Sequence, residues 1–189
     1  YSVNFAEIKI LTENNDWKAI AEMMKELAQK LEAAGADCIL IGANTMHKIA
    51  DEVQSAIHIP LINIAEETSK VIQAKGMKKV ALLGTKYTMQ LDFYTKKLSA
   101  KGIQTIIPGD EDIAYINNAI YSEMGKGLFL PETKERFIQI INTLQQAGVE
   151  AAILGCTEIP ILIKQDDVDL PVFDTTAIHV EAAVNYVLS

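Results

Sequence analysis

The 189-residue chain is poor in cysteine, tryptophan and proline, with 2, 1 and 5 of them. Its basic side chains gather no further than the pairs Lys78-Lys79 and Lys96-Lys97. Two cysteines cannot build a disulfide framework. A net charge of -8 without a basic run argues against nucleic acid or an anionic membrane as partner, because neither attracts an acidic surface. No apolar stretch approaches the roughly 20 residues of a membrane span. Tyr1-Ser2-Val3-Asn4 has neither the basic start nor the apolar run of a secretion signal, so a soluble cytoplasmic protein is expected. The phosphate-cradling patterns G-x-x-x-x-G-K-[ST] and G-x-G-x-x-G are both missing. The three histidines, His47, His58 and His179, make no metal set. His47 and Asp51 share a helix face, but no third ligand follows; a hydrogen bond along that face is the expected use of His47.

What is present is an internal repeat. Ala34-Gly-Ala-Asp-Cys-Ile-Leu-Ile-Gly-Ala-Asn-Thr45 aligns without a gap on Ala147-Gly-Val-Glu-Ala-Ala-Ile-Leu-Gly-Cys-Thr-Glu158, and His58-Ile-Pro-Leu-Ile-Asn63 then matches Asp169-Leu-Pro-Val-Phe-Asp174. Each copy reads as a strand that ends in a small-residue turn, so the chain carries a duplicated βα module. The register sets Ala43 opposite Cys156, each just after the glycine that closes its strand.

Helical and strand patterns alternate throughout, which predicts an α/β protein with parallel strands. Strands are expected over 38–41, 61–64, 80–83, 103–107, the second repeat copy and 170–173. Helices are expected over 16–34, 45–56, 66–74, 89–100, 110–123 and 131–147, with a short one after Thr157 and a last one from Thr176. The opening Tyr1-Ser2-Val3-Asn4-Phe5 reads as strand and loop. No linker rich in Pro, Gly or Ser separates the halves, so any lobes pack closely around a cleft.

Open parallel sheets bind ligands beyond the carboxyl ends of their strands. Ala43-Asn44-Thr45, Gly84-Thr85 and Cys156-Thr157-Glu158 all fall at such ends. Hydroxyls, an amide and helix N-termini there suit a small carboxylic acid, since each donates a hydrogen bond to negative charge. Cys156 is the one candidate nucleophile or thiol base, and a helix N-terminus would make it acidic. Cys38, inside an apolar strand, is expected to be an inert packing residue.

Three motifs together, Gly42-Ala-Asn-Thr-Met-His-Lys48, Leu82-Leu-Gly-Thr85 with Thr88, and Gly155-Cys-Thr-Glu-Ile-Pro160, resemble the aspartate/glutamate racemase superfamily, and its aspartate racemase branch above all. The resemblance implies two similar parallel-sheet lobes related by a pseudo-twofold axis, with the ligand cleft between them. The first would comprise residues 1–80 and about 175–189, the second residues 81–174. It implies a homodimer and cofactor-independent racemisation of an amino acid or related dicarboxylate, by two cysteines on opposite faces of the substrate. On this chain the second cysteine is Cys156, with Glu158 in support. Asn44, Thr45, Thr85 and Thr157 match positions that hold the α-carboxylate, and Lys126 the one that receives a side-chain carboxylate. Two departures stand out. Ala43 replaces the first cysteine, and a methyl group cannot carry a proton. The opening strand with its Gly-Gly-Met turn has no match before Tyr1, so the first lobe is expected to be one strand short. A single-cysteine decarboxylase or isomerase of a small diacid, and a non-catalytic amino-acid or dicarboxylate binder, are the alternatives.

Overall fold

The structure is a computed structural model that describes residues 1–189. Asn4 opens α1 (Phe5–Glu13) by accepting a hydrogen bond from the Ala6 amide. Residues 1–4 have no regular structure, and of the Tyr1–Phe5 stretch read as strand and loop only Phe5 is helical. The sequence assigns no element to the rest of α1, which the cap and the inward Ile8 and Thr12 set. Asp16 caps α2 (Trp17–Ala33) through the Ala19 amide. Gly35, at φ +94°, turns the chain out of the helix as only glycine does cheaply.

The first repeat copy then forms no strand of its own. Ile39 makes one parallel bridge with Leu61, because Cys38–Ile41 pairs along a single edge. Residues Thr45–Ile49 wind into a 3-10 turn that leads into α3 (Ala50–Gln54). Asn63 accepts from the amides of Ala65 and Glu66 and so starts α4 (Ile64–Ala74) two residues before the expected 66.

The main sheet follows. It comprises β1 (Lys79–Gly84), β2 (Gln104–Ile106), β3 (Ala151–Gly155) and β4 (Val172–Asp174), all parallel, in the spatial order β2-β1-β3-β4. Between β1 and β2 lie α5 (Lys86–Gln90) and α6 (Asp92–Ser99). The sequence predicts one helix there, but Leu91 is extended, at ψ 154°, and divides it. The remaining helices are α7 (Asp110–Ser122), α8 (Pro131–Gln146), α9 (Ile159–Leu162) and α10 (Thr175–Leu188).

Side chains of β1 alternate between two cores, as a period of two requires. Ala81 and Leu83 join Ala152 and Leu154 under α7 and α8, with Ile116, Phe137 and Ile141. Val80 and Leu82 join Ala151 and Ile153 under α4 and α6, with Ile72 and Leu98. A sheet covered on both faces explains why these strands read as unbroken apolar runs. A third cluster ties Ile8, Ile20, Ile39, Ile41 and Val53 together around α2.

The repeat is structural as well as textual. The Ile39–Leu61 bridge corresponds in repeat register to the Ala152–Val172 pair between β3 and β4. Each of these pairs begins with an amide bonded to a proline carbonyl, Ile39 to Pro60 and Ala152 to Pro171. Asn63 and Asp174, also equivalent, both cap the following helix with their side chains.

Strand order reverses between β1 and β3, which makes the space beyond their carboxyl ends the topological switch point of the sheet. Gly84 and Gly155 are register partners there. A Cβ on Gly84 would lie 2.7 Å from the Gly155 carbonyl oxygen, and one on Gly155 would lie 2.8 Å from that of Leu83. Both contacts are with backbone, which cannot swing aside. Gly155→Ala should therefore destabilise the fold by about 1–3 kcal/mol, as overpacked cores do, read as a lower midpoint in urea unfolding. Gly109→Ala, with no atom within 4 Å of the new Cβ, should be far milder.

Candidate active site

A cavity of about 490 Å³ opens at the switch point, with Asn44, Thr45, Thr85, Cys156, Thr157 and Glu158 at its polar end. Its other end is apolar, lined by Met24, Leu27 and Leu31 of α2 and by Ile39 and Ile41. Five of the sequence-proposed polar residues and Glu158 thus share one space, and Ala43 lies on its wall.

Thr85 caps α5 by accepting from the Thr88 amide at 3.2 Å. Its hydroxyl lies 2.8 Å from that of Thr45, and the Thr88 hydroxyl lies 3.2 Å from each of the other two. This closed triangle fastens the first repeat turn to the end of β1. Of the three, Thr45 and Thr85 line the cavity, and their hydroxyls can rotate toward a ligand oxygen as donors for a carboxylate.

The turn that carries Asn44 and Thr45 is held from behind by His47. Its Nδ1–H donates to the Ala43 carbonyl at 2.9 Å, and its Nε2 accepts from the Ile64 amide at 3.2 Å. The second bond requires the neutral ring, because a protonated Nε2 cannot accept. Burial lowers the His47 pKa to about 4, with the nearby His179 ring acting in the same direction. The expected partner, Asp51, instead lies 3.7 Å from Lys97. A backbone carbonyl within reach wins because it is already fixed inside the fold, whereas Asp51 projects into solvent.

Cys156 is buried, and its thiol donates to Glu158 Oε2 at 2.9 Å. The Thr157 hydroxyl donates to the same oxygen at 2.8 Å. Burial pushes the Cys156 thiol well above its usual range, and the Glu158 carboxylate pushes it further; the amides of Glu158 and Thr157 pull the other way but are outweighed. The expectation of a thiol made acidic by a helix N-terminus is overturned here. Helix α9 has only 4 residues, too few to build a strong end charge, and a carboxylate stands beside the sulfur.

Lys126 is the sequence-proposed residue that the structure does not bring in. It sits exposed on the 3-10 turn Met124–Lys126, before Gly127 at φ +78°, and is not on the cavity wall. The basic side chain that does reach the wall is Lys9 of α1, 3.8 Å from Glu13. Tyr121 of α7 also lines the cavity, and burial, then its neighbours' charges, raise its phenol to about 12, so it stays a donor. Neither is marked in the sequence, since the pattern assigns no element to the stretch that holds Lys9 and Tyr121 lies outside every motif.

Residues 2–183 match the model of the Asp/Glu/hydantoin racemase family. The chain belongs to that family. It is similar to a crystal structure of a protein from Yersinia pestis named provisionally as an Asp/Glu racemase, at 42% identity and TM-score 0.92, over 100% of this chain and 83% of that one. An aspartate racemase homologue from Pyrococcus horikoshii OT3 aligns at 36% identity and TM-score 0.86, over 100% of this chain and 82% of that one. The broad specificity amino-acid racemase RacX of Bacillus subtilis (strain 168) is 29% identical over 171 residues, 89% of this chain and 74% of that one. Racemases are isomerases, and the expected family and α/β class both hold. At Ala43 the wall of the cavity carries a methyl group.

Two measurements follow from the site. His47 is neutral in the fold down to about pH 4, while in the unfolded chain it protonates near 6.5. Its contribution is complete above pH 6.5 and is lost as the pH falls toward 4. Urea unfolding should show a loss of up to about 3 kcal/mol across that window, and His47→Gln should flatten it. Cysteine labelling supplies the second. At neutral pH iodoacetamide should modify the half-buried Cys38 before Cys156, the reverse of the order that the sequence suggests, because the thiolate is the reactive form. Faster labelling of Cys156 would contradict the raised pKa.

Proposed function

We propose that this family member moves a proton at the α-carbon of a small amino acid of the aspartate/glutamate type, with Cys156 as the acid/base. The observation that carries this reading is the Cys156–Glu158 hydrogen bond within a cavity that also holds the hydroxyls of Thr45 and Thr85. Glu158 provides a place for the thiol proton. Passing it across the 2.9 Å bond leaves a thiolate and a neutral carboxylic acid. The thiolate then takes the α-proton, and the electron pair spreads onto the substrate carboxylate. The hydroxyls of Thr45 and Thr85 stabilise that charge as it builds, while that of Thr157 is committed to Glu158. Returning the proton from Cys156 restores the same enantiomer. Inversion needs a donor on the opposite face, and Ala43 offers none. Lys9, rather than Lys126, is the cation placed to meet a side-chain carboxylate.

The missing second thiol favours a second reading, a one-sided reaction such as decarboxylation or isomerisation of a small diacid, in which an enolate is protonated on one face. Chiral chromatography with D- and L-aspartate and glutamate, run beside carbon dioxide release from malonate-like acids, separates the two. For a racemase, Cys156→Ser should abolish interconversion. Ala43→Cys should raise it, by up to the roughly 100-fold to 10,000-fold that a well-placed acid/base contributes. Release of carbon dioxide without interconversion in either protein would replace the first reading with the second.

Glu158→Gln discriminates between a relay and a bystander. Removing the carboxylate takes away the charge that adds to burial in raising the thiol and leaves only a neutral amide oxygen to accept from it, so alkylation of Cys156 should quicken. Turnover should nevertheless fall, because the thiol loses its proton acceptor. Faster alkylation with undiminished turnover would exclude Glu158 from the reaction.

A further inference from the structure

Asn44 is 4% exposed, and its amide nitrogen donates to the Thr175 hydroxyl at 3.0 Å across a sequence separation of 131 residues. Thr175, fully buried at the start of α10, donates its own hydroxyl proton to the Leu154 carbonyl at 2.9 Å. A hydroxyl has one proton to give. With that proton committed to Leu154, Thr175 can only accept, so Asn44 must present its NH2 end to it. The amide orientation follows from this chain of bonds. It leaves Asn44 Oδ1 as a buried acceptor with no partner, on a side chain that lines the cavity with Cys156 and Thr85. An unpaired buried acceptor is costly, and a ligand N–H would relieve it.

We propose that Thr175 is a positioning residue: it fixes the Asn44 amide so that its oxygen is left for the ligand, and the site thereby favours a ligand with an ammonium group beside its carboxylate over the same diacid without one. Leu154 lies two positions before Cys156 on the strand that leads to it, so the same bonds join the first repeat turn to the strand of the thiol. The selectivity rests on the amino-acid reading of the cleft, whereas the relay does not. Asn44, expected from the sequence to donate to the carboxylate, becomes an acceptor for the ammonium.

The test compares the wild type with Thr175→Val, which removes the acceptor, and Thr175→Ser, which keeps it. Thr175→Ala removes the same hydroxyl with less crowding and repeats the test in case the valine variant does not fold. The Asn44 side-chain amide, identified in nitrogen–proton NMR by its loss in Asn44→Asp, should exchange slowly with solvent in the wild type and Thr175→Ser. It should exchange at least about tenfold faster in Thr175→Val, as expected when a buried hydrogen bond is lost. Calorimetry with L-aspartate, D-aspartate and succinate should show an aspartate preference in the wild type that drops about tenfold or more in Thr175→Val, the scale of one bond to a charged group, and returns in Thr175→Ser. An Asn44 amide unchanged in Thr175→Val overturns the relay. A released amide with an unchanged aspartate-to-succinate ratio overturns the selectivity, and equal weakening of both ligands marks Thr175 as structural only. A wild type that binds none of the three contradicts the amino-acid reading and the selectivity with it; the amide signals then decide the relay alone.

Discussion

The close parallel pairing of β1 and β3 is the constraint on which the site depends. Glycine at both Gly84 and Gly155 allows the two backbones to meet where any Cβ would strike a carbonyl oxygen at 2.7–2.8 Å. Thr85 and Cys156, the next residues along, are thereby set side by side at the reversal point of the sheet. The first repeat turn is then drawn to the same place from three directions: the Thr45–Thr85 hydroxyl bond, the His47 ring behind Ala43, and the Asn44–Thr175 bond. None of the three is an ion pair. The first repeat turn is thus fixed by neutral hydrogen bonds in a buried setting, where each counts for more than it would at the surface.

The electrostatics of that setting define the resting state of the chemistry. A buried thiol beside a carboxylate stays protonated, and a phenol raised to about 12 does the same. His47 is held neutral as a structural donor and acceptor, and is unavailable as a base. Within the polar end the negative charge therefore resides on Glu158. A cationic ammonium entering next to it would lower the thiol pKa by the rule that opposite charge favours the ionised form. Ligand charge and thiol ionisation are coupled, and a diacid without an ammonium group would leave the sulfur protonated.

The sequence was most legible where a pattern had to be satisfied locally. Strand β1, buried on both faces, could be read from an apolar run closed by glycine, and the caps at Asp16, Asn63 and Asp174 explain where their helices begin. The repeat was legible too, down to equivalent pairings after Pro60 and Pro171. It misled at Cys38–Ile41, since a strand is a property of its neighbours and this segment has one. Among site residues, the turn positions Asn44, Thr45, Thr85, Cys156, Thr157 and Glu158 could be named because strand ends converge by topology. Lys9, Tyr121 and Thr175 could not, because their places depend on how helices pack. The raised pKa of Cys156 is hidden from the sequence for a related reason: a helix start is visible there, but the length of α9 and the direction of the Glu158 side chain are tertiary facts.

The central claim is that Cys156, relayed through Glu158, exchanges a proton at the α-carbon on one face of the substrate. Proton NMR of L- and D-aspartate in heavy water tests it most directly, by following the α-proton signal with the wild type and with Cys156→Ala. The account predicts that the wild type washes out the α-proton of one enantiomer faster than it interconverts the two, and that Cys156→Ala leaves both signals at the level of buffer alone. Equal wash-out by the wild type and Cys156→Ala would contradict it.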